Sequence, residues 1–191
     1  IHKSGGVRCA VVGDNMQRAP VFVFENASQG RMFVDWINAN TDTLRQVTHE
    51  SDPFVALKHV DYYLANSFAF LRFNFTTGDA AGMNMVSKAT FAACNWIMQN
   101  CDVVEIQRFF LESNFATDKK HSQINVLRTR GKRVVAEATL PADLLGEHMG
   151  VTPAQLFRAR QYSQTGGFMA GSANNGAHAA NGLAALFIAT G

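Results

Sequence analysis

Between residues 71 and 97 the chain changes period once, and that change limits the folds open to it. Leu71, Phe73 and Phe75 alternate with Arg72, Asn74 and Thr76, a period of two that gives a strand one buried and one wet face. Farther on, Met83, Val86, Thr90, Ala93 and Ile97 recur every three or four residues, the spacing of one helical face. The switch falls at Gly78-Asp79-Ala80-Ala81-Gly82-Met83-Asn84-Met85, and the helix is read from Asp79 to about Asn100. A strand that runs through small residues into a helix leaves the helix's first amides in an open setting. Either the Asp79 carboxylate caps them, or an external anion such as a phosphate binds there. The dinucleotide fingerprint Gly-x-Gly-x-x-Gly is not met, because only Gly78 and Gly82 are present.

Upstream, Val21-Phe22-Val23-Phe24 reads as a strand, and Ser28 as the cap of a helix carrying Met32, Phe33, Trp36 and Ile37. Residues 38–53 are polar, end in Asp52-Pro53 and read as a loop. Strand-like runs at 55–63 and 68–76 form a hairpin through residues 64–67, and residues 103–109 supply another strand. From residue 21 to residue 109 the order is β-α-β-β-α-β, the ferredoxin-like arrangement of two helices on an antiparallel sheet, within an α+β chain.

The flanks read differently. Residues 14–20 form a polar turn ending in Pro20, with Arg18 either solvated or holding an anion. Residues 112–120 are a polar loop in which Asp118, Lys119 and Lys120 are either a solvated charge cluster or a lysine, held by an acid, that polarises a carbonyl. A strand at 134–140, helices at 141–149 and 153–163, and a small-residue segment at 166–182 complete the chain. His178 and Asn181 there share a helical face.

Seventeen basic and 15 acidic residues leave a net charge of +2, too little to mark a nucleic-acid surface. Cys9, Cys94 and Cys101 form neither a disulfide framework nor a zinc pattern, which suits a reducing, cytoplasmic setting, and no metal is expected. Ile1 and Gly191 read as cut points within a longer protein.

Together these motifs resemble the 3-hydroxy-3-methylglutaryl-CoA (HMG-CoA) reductase family. Residues 78–85 resemble its cofactor motif, with Ala81 where the family usually has methionine. Thr117-Asp118-Lys119-Lys120 resembles its catalytic-lysine loop. Met169-Ala170-Gly171-Ser172 and Ala177-His178-Ala179-Ala180-Asn181 resemble its small-residue helical segment, and residues 14–20 resemble a turn bearing an arginine.

The resemblance implies reduction of HMG-CoA to mevalonate with two molecules of reduced nicotinamide cofactor. It implies a ferredoxin-like cofactor domain at 20–110, inserted in a larger CoA-binding domain represented by 1–19 and 111–191. Lys119 would be catalytic, and Arg18, Asp118, Lys120 and Asn181 would meet substrate. Asp79, Ala80, Ala81, Gly82, Met83, Asn84 and Met85 would meet the cofactor. Met83-Asn84-Met85 resembles the class that uses NADPH, whereas Asp52, with Pro53, stands where that class grips the 2′-phosphate, which keeps NADH open and adds Asp52 to the cofactor contacts.

Glu112 stands where the family usually has serine, a departure with no evident purpose in the sequence. The family's catalytic glutamate, aspartate and histidine correspond to positions outside residues 1–191. The whole protein is expected to be a homo-oligomer, and its membrane anchoring is open. A non-catalytic nucleotide-binding module is the alternative reading.

Overall fold

The computed structural model describes residues 1–172, 176 and 179–191. In chain order its elements are β1 (Arg8–Arg18), β2 (Val21–Val23), α1 (Ala27–Ala39), α2 (Thr41–Ser51), β3 (Ala56–Ala65), β4 (Phe68–Thr76), α3 (Met83–Asn100) and β5 (Arg108–Phe110). There follow α4 (Gln123–Arg128), β6 (Gly131–Glu137), α5 (Ala142–Met149), α6 (Pro153–Met169) and α7 (Ala179–Thr190). One compact unit holds residues 10–120 and 124–135, and the other holds 1–9, 121–123 and 136–191.

The alternating segment is β4, and the first unit is built around it. Along one edge it pairs antiparallel with β3, from Ala56 opposite Thr76 to Ala65 opposite Phe68. Along the other edge, β2 covers its first half (Val21 opposite Phe70) and β1 its second (Met16 opposite Phe75). Pro20, which has no N–H to give, marks the break between those two partners, and its carbonyl accepts from the Leu71 amide at 3.0 Å. With β5 antiparallel on β2 and β6 beside β1, the four strands from residue 21 to residue 110 lie in the order β5-β2-β4-β3. That is the fourth, first, third and second strand in sequence, the ferredoxin-like α+β order the pattern predicts.

Ala69, Leu71, Phe73 and Phe75 project from one face of β4 into the core, where they meet Phe33 and Ile37 of α1, Leu44 of α2 and Val86, Ala89, Ala93 and Ile97 of α3. Phe33 is fully buried, with its ring centroid 4.9 Å from that of Phe22 and 5.0 Å from that of Phe24. Trp36 stacks on Trp96 at 5.5 Å, joining α1 to α3.

Several local expectations are corrected. Residues 41–51 form a helix rather than a loop. Only Leu44 and Thr48 on it are fully buried, a stripe too narrow to register as an apolar period, and the Thr48 hydroxyl satisfies itself by donating to the Leu44 carbonyl at 2.9 Å. Residues up to Arg18 continue β1 instead of turning, because their backbone pairs with β4 although their side chains do not alternate. Asn26, not Ser28, caps α1, accepting from the Gln29 amide at 3.0 Å. The strand expected over 103–109 is confined to Arg108–Phe110.

The second face of β4 is not wet. Arg72 is fully buried, and Asn74 is 1% exposed. The Phe115 ring lies against Phe70 at 5.2 Å and Tyr63 at 4.6 Å, while Arg72 donates to the Asn125 side chain at 3.1 Å and the Thr129 carbonyl at 3.0 Å. Gln17 donates to Asn74 at 3.0 Å, and Asn74 donates to Asp61 at 3.1 Å. Desolvation pushes the Arg72 guanidinium below its ordinary pKa, with Asp61 opposing. The alternation at 71–75 therefore separates an apolar layer from a buried polar one, with Thr76 exposed at the end of the strand.

In the second unit, α6 opens with a capping box between Thr152 and Gln155 and Pro153 in its first turn. It runs to Met169, six residues past the expected end, and neither α6 nor α7 buries a residue among those described. Among the described residues no helix is long and apolar enough to cross a membrane.

Candidate functional site

At the end of β4, residues 77–82 make a tight turn. The Ala80 amide donates to the Thr77 carbonyl at 3.3 Å, and the Thr77 hydroxyl donates to the Ala80 carbonyl at 2.7 Å. α3 begins at Met83, four residues later than the pattern suggests, and its N-cap is Gly82 in the left-handed region at φ 74°. No side chain caps it, so Asp79 does not fill the capping role. The helix's first amides thus have no side-chain cap, and the preceding Gly78, Asp79, Ala80 and Ala81 are all exposed, a setting that admits an anion.

Gly82 is required by shape. A Cβ there would stand 2.3 Å from Thr77 Cγ2, and a left-handed φ costs any other residue about 1–2 kcal/mol. Gly82→Ala is expected to lower the unfolding free energy by about 2 kcal/mol, read as a lower denaturant midpoint with an unchanged slope.

Arg18, the last residue of β1, reaches beneath this helix start. Its Nη2 donates to Ser87 Oγ at 2.7 Å, and Ser87 Oγ donates to the Met83 carbonyl at 2.8 Å. Its Nη1 is paired with the Glu112 carboxylate. The residue that the sequence left without a purpose is therefore the counter-ion of Arg18.

Glu112 opens the lysine loop, and its second oxygen accepts from the Asn114 amide at 2.7 Å. The loop is fastened at several points. Ser113 gives both its amide, at 3.1 Å, and its hydroxyl, at 2.7 Å, to the Ala19 carbonyl. Ala116 is fully buried. Asp118 is paired with Arg130 at 3.0 Å, and Arg130 also donates to the Gln17 carbonyl at 3.0 Å. Lys120 donates to the Asn114 side chain at 2.7 Å.

Asn114, Thr117 and Lys119 all have positive φ, 68°, 57° and 58°, a conformation that persists in non-glycine residues only when surrounding contacts impose it. Lys119 is held in this way at an exposed tip. A lysine ammonium presented at an exposed loop tip can stabilise negative charge developing on a substrate oxygen.

The structure thus brings together Arg18, Glu112, Ser87 and the first turn of α3, and joins Asp118 and Lys120 to the loop that presents Lys119. Asp52 terminates α2, and its carboxylate accepts from the Phe54 amide at 3.1 Å. Asn181 belongs to the other unit, exposed on α7, and His178 lies outside the described residues. Among the described residues no cluster of His, Cys, Asp and Glu suits a metal ion.

Sequence reasoning missed Ser87, Asn114 and Arg130. Arg130 had a signal: Arg128, Arg130, Lys132 and Arg133 place four cations in six positions, a local excess that an even overall charge balance conceals. Lys132 is bonded to Asp14 at 2.6 Å. That hydrogen bond first, then Coulombic attraction to Asp14 and, more weakly, to Asp79, raises its pKa above the ordinary lysine value.

The family model described as hydroxymethylglutaryl-coenzyme A reductase matches residues 1–191. The chain is 35% identical, over its whole length, to the 3-hydroxy-3-methylglutaryl-coenzyme A reductase of Halobacterium salinarum and covers 47% of that protein. It is also 35% identical to that of Aeropyrum pernix, with 98% of the chain covering 45% of the relative. It thus spans about half the length of these curated relatives. Among solved structures, a class II 3-hydroxy-3-methylglutaryl-CoA reductase from Streptococcus pneumoniae bound to NADPH aligns with a TM-score of 0.61 over 86% of this chain and 43% of that one. At 16% identity, that likeness speaks for the fold.

Proposed function

Because the chain belongs to the hydroxymethylglutaryl-coenzyme A reductase family, we propose that it is the central part of an enzyme that reduces HMG-CoA to mevalonate with two molecules of a reduced nicotinamide cofactor. The observation that carries this reading is the Arg18 guanidinium. It ties the open N-terminus of α3, through Ser87, to the lysine loop, through Glu112. A helix start open to an anion and a lysine-bearing loop, joined by one arginine, suit a phosphate-bearing cofactor beside a thioester.

The cofactor, when bound, supplies the hydride. In the proposed site the amides of Met83, Asn84 and Met85 would hold its phosphates, with Asp79, Ala80, Ala81 and Gly82 forming the approach. The fit rests on the missing side-chain cap and the small exposed residues of the turn. NADPH is the proposed cofactor, as in the Streptococcus pneumoniae neighbour, with NADH as the alternative that the Asp52 carboxylate favours through a ribose hydroxyl.

Lys119 holds its ammonium toward the thioester oxygen and stabilises the oxyanion as carbon is reduced. Asp118, fixed by Arg130, sets the loop that carries it, Lys120 is a counter-ion for the substrate carboxylate, and Arg18 offers a second cationic contact. Asn181 is proposed to steady the lysine and thioester region. Residues 20–110 are proposed as the cofactor domain, with 1–19 and 111–191 belonging to the CoA-binding domain. The whole protein is read as a homo-oligomer, with this segment working in the cytoplasm.

The test is turnover. The whole protein, supplied with HMG-CoA and either NADPH or NADH, should oxidise two cofactor molecules per mevalonate formed. Cofactor oxidation no faster than in a thioester-free control, with both cofactors, overturns the assignment.

A further inference from the structure

Glu112 and Arg18 are unequal partners. The Arg18 side chain is 14% exposed, whereas that of Glu112 is 42% exposed. The arginine is fixed by Ser87 on its far side, and its Nε is buried without a partner among the described residues. The glutamate is the end that faces solvent.

A guanidinium held in this way favours a carboxylate through charge-assisted hydrogen bonds, and the chain supplies one itself. Any incoming carboxylate must displace a tethered competitor, present at a high effective concentration. Displacement also reaches the loop, because Glu112 Oε1 accepts from the Asn114 amide and the Asn114 side chain accepts from Lys120.

We infer that Glu112 is a specificity-determining residue, an internal carboxylate that occupies Arg18 and discriminates against ligands whose acyl end carries a free carboxylate. The inference rests on the reading of Arg18 as a substrate-anion contact. An acyl group with a neutral end pays no such competition, so Glu112 sets the balance between charged and uncharged acyl ends. For a carboxylate-bearing thioester its effect falls on binding, raising KM more than it lowers kcat, because the competitor is absent from the site once substrate is seated.

The test separates this inference from the reductase assignment by measuring binding first. Glutarate, a dicarboxylate, and glutaramide, its neutral diamide, are titrated calorimetrically into the whole wild-type protein, Glu112→Gln and Glu112→Ser. Glutamine keeps an oxygen for the Asn114 amide, and serine removes the competitor altogether. Both variants are expected to bind glutarate about tenfold more tightly than wild type, while affinity for glutaramide changes less than twofold.

Equal glutarate affinity in all three proteins overturns the inference, as does an equal gain for both ligands, which would signal general loosening of the site. With HMG-CoA, KM should fall about tenfold in Glu112→Gln, with kcat moving less than KM. Tighter glutarate binding without turnover in any of the proteins would sink the reductase reading and leave the role of Glu112 standing.

Discussion

Lys119→Ala is expected to reduce turnover of HMG-CoA by about 10²–10³-fold or more, the loss found when one preorganised oxyanion-stabilising group is removed. The effect should fall on kcat and on kcat/KM alike, because the charge is needed most where negative charge develops. Stability should scarcely move. The side chain is exposed and makes no hydrogen bond or ion pair among the described residues, and the loop is fastened through Ser113, Ala116 and Asp118. Lys119 has φ 58°, so Lys119→Gly is a useful companion: it removes the charge while relaxing the backbone. Steady-state rates from cofactor absorbance, with a melting curve for each variant, make the comparison. A variant that keeps most of the wild-type kcat would remove Lys119 from the mechanism.

The largest loss of stability is expected from Phe33→Ala. The ring is fully buried and lies within 5.0 Å, centroid to centroid, of Phe22 and Phe24. Together with Ile37 it anchors α1 on the sheet. Deleting it removes the burial of a whole aromatic side chain and leaves a cavity that strand and helix cannot both close, a cost of about 3–5 kcal/mol. Domains have only about 5–15 kcal/mol in hand, so a large share of the fold's margin disappears. Equilibrium unfolding in urea reads the change, and a shift under 1 kcal/mol would mean that α1 is held mainly by other contacts, such as Trp36 on Trp96.

What could be read from the sequence was what is local. The β4–α3 junction declared itself because periods of two and of about 3.6 adjoin across a few small residues, and the strand order followed from the succession of such patterns. α2 stayed hidden because two fully buried positions in eleven residues do not make a visible stripe. The polar face of β4 was misread for a related reason. Alternation separates polar from apolar side chains, but it does not say whether the polar ones meet water or other polar groups, and Arg72 meets Asn125 and Thr129.

At the site, the reactive residues were legible as residue types and their partners were not. Glu112 lies 94 positions from Arg18, and Arg130 lies 12 from Asp118 but 113 from Gln17. Pairings at such separations are made by the sheet and leave no trace in local spacing.

The two sides of β4 are completed by different parts of the chain, and this orders events during synthesis. The fully buried side chains of the aromatic side, from Phe22 to Ile97, are synthesised and emerge before the residues that complete the other. The other side needs Phe115, Asn125 and Thr129. In the interval a nascent chain carries a folded layer whose reverse exposes the bare guanidinium of Arg72. That group stays hydrated until its partners arrive, so the half-made sheet presents water-binding rather than sticky chemistry at that point while it waits.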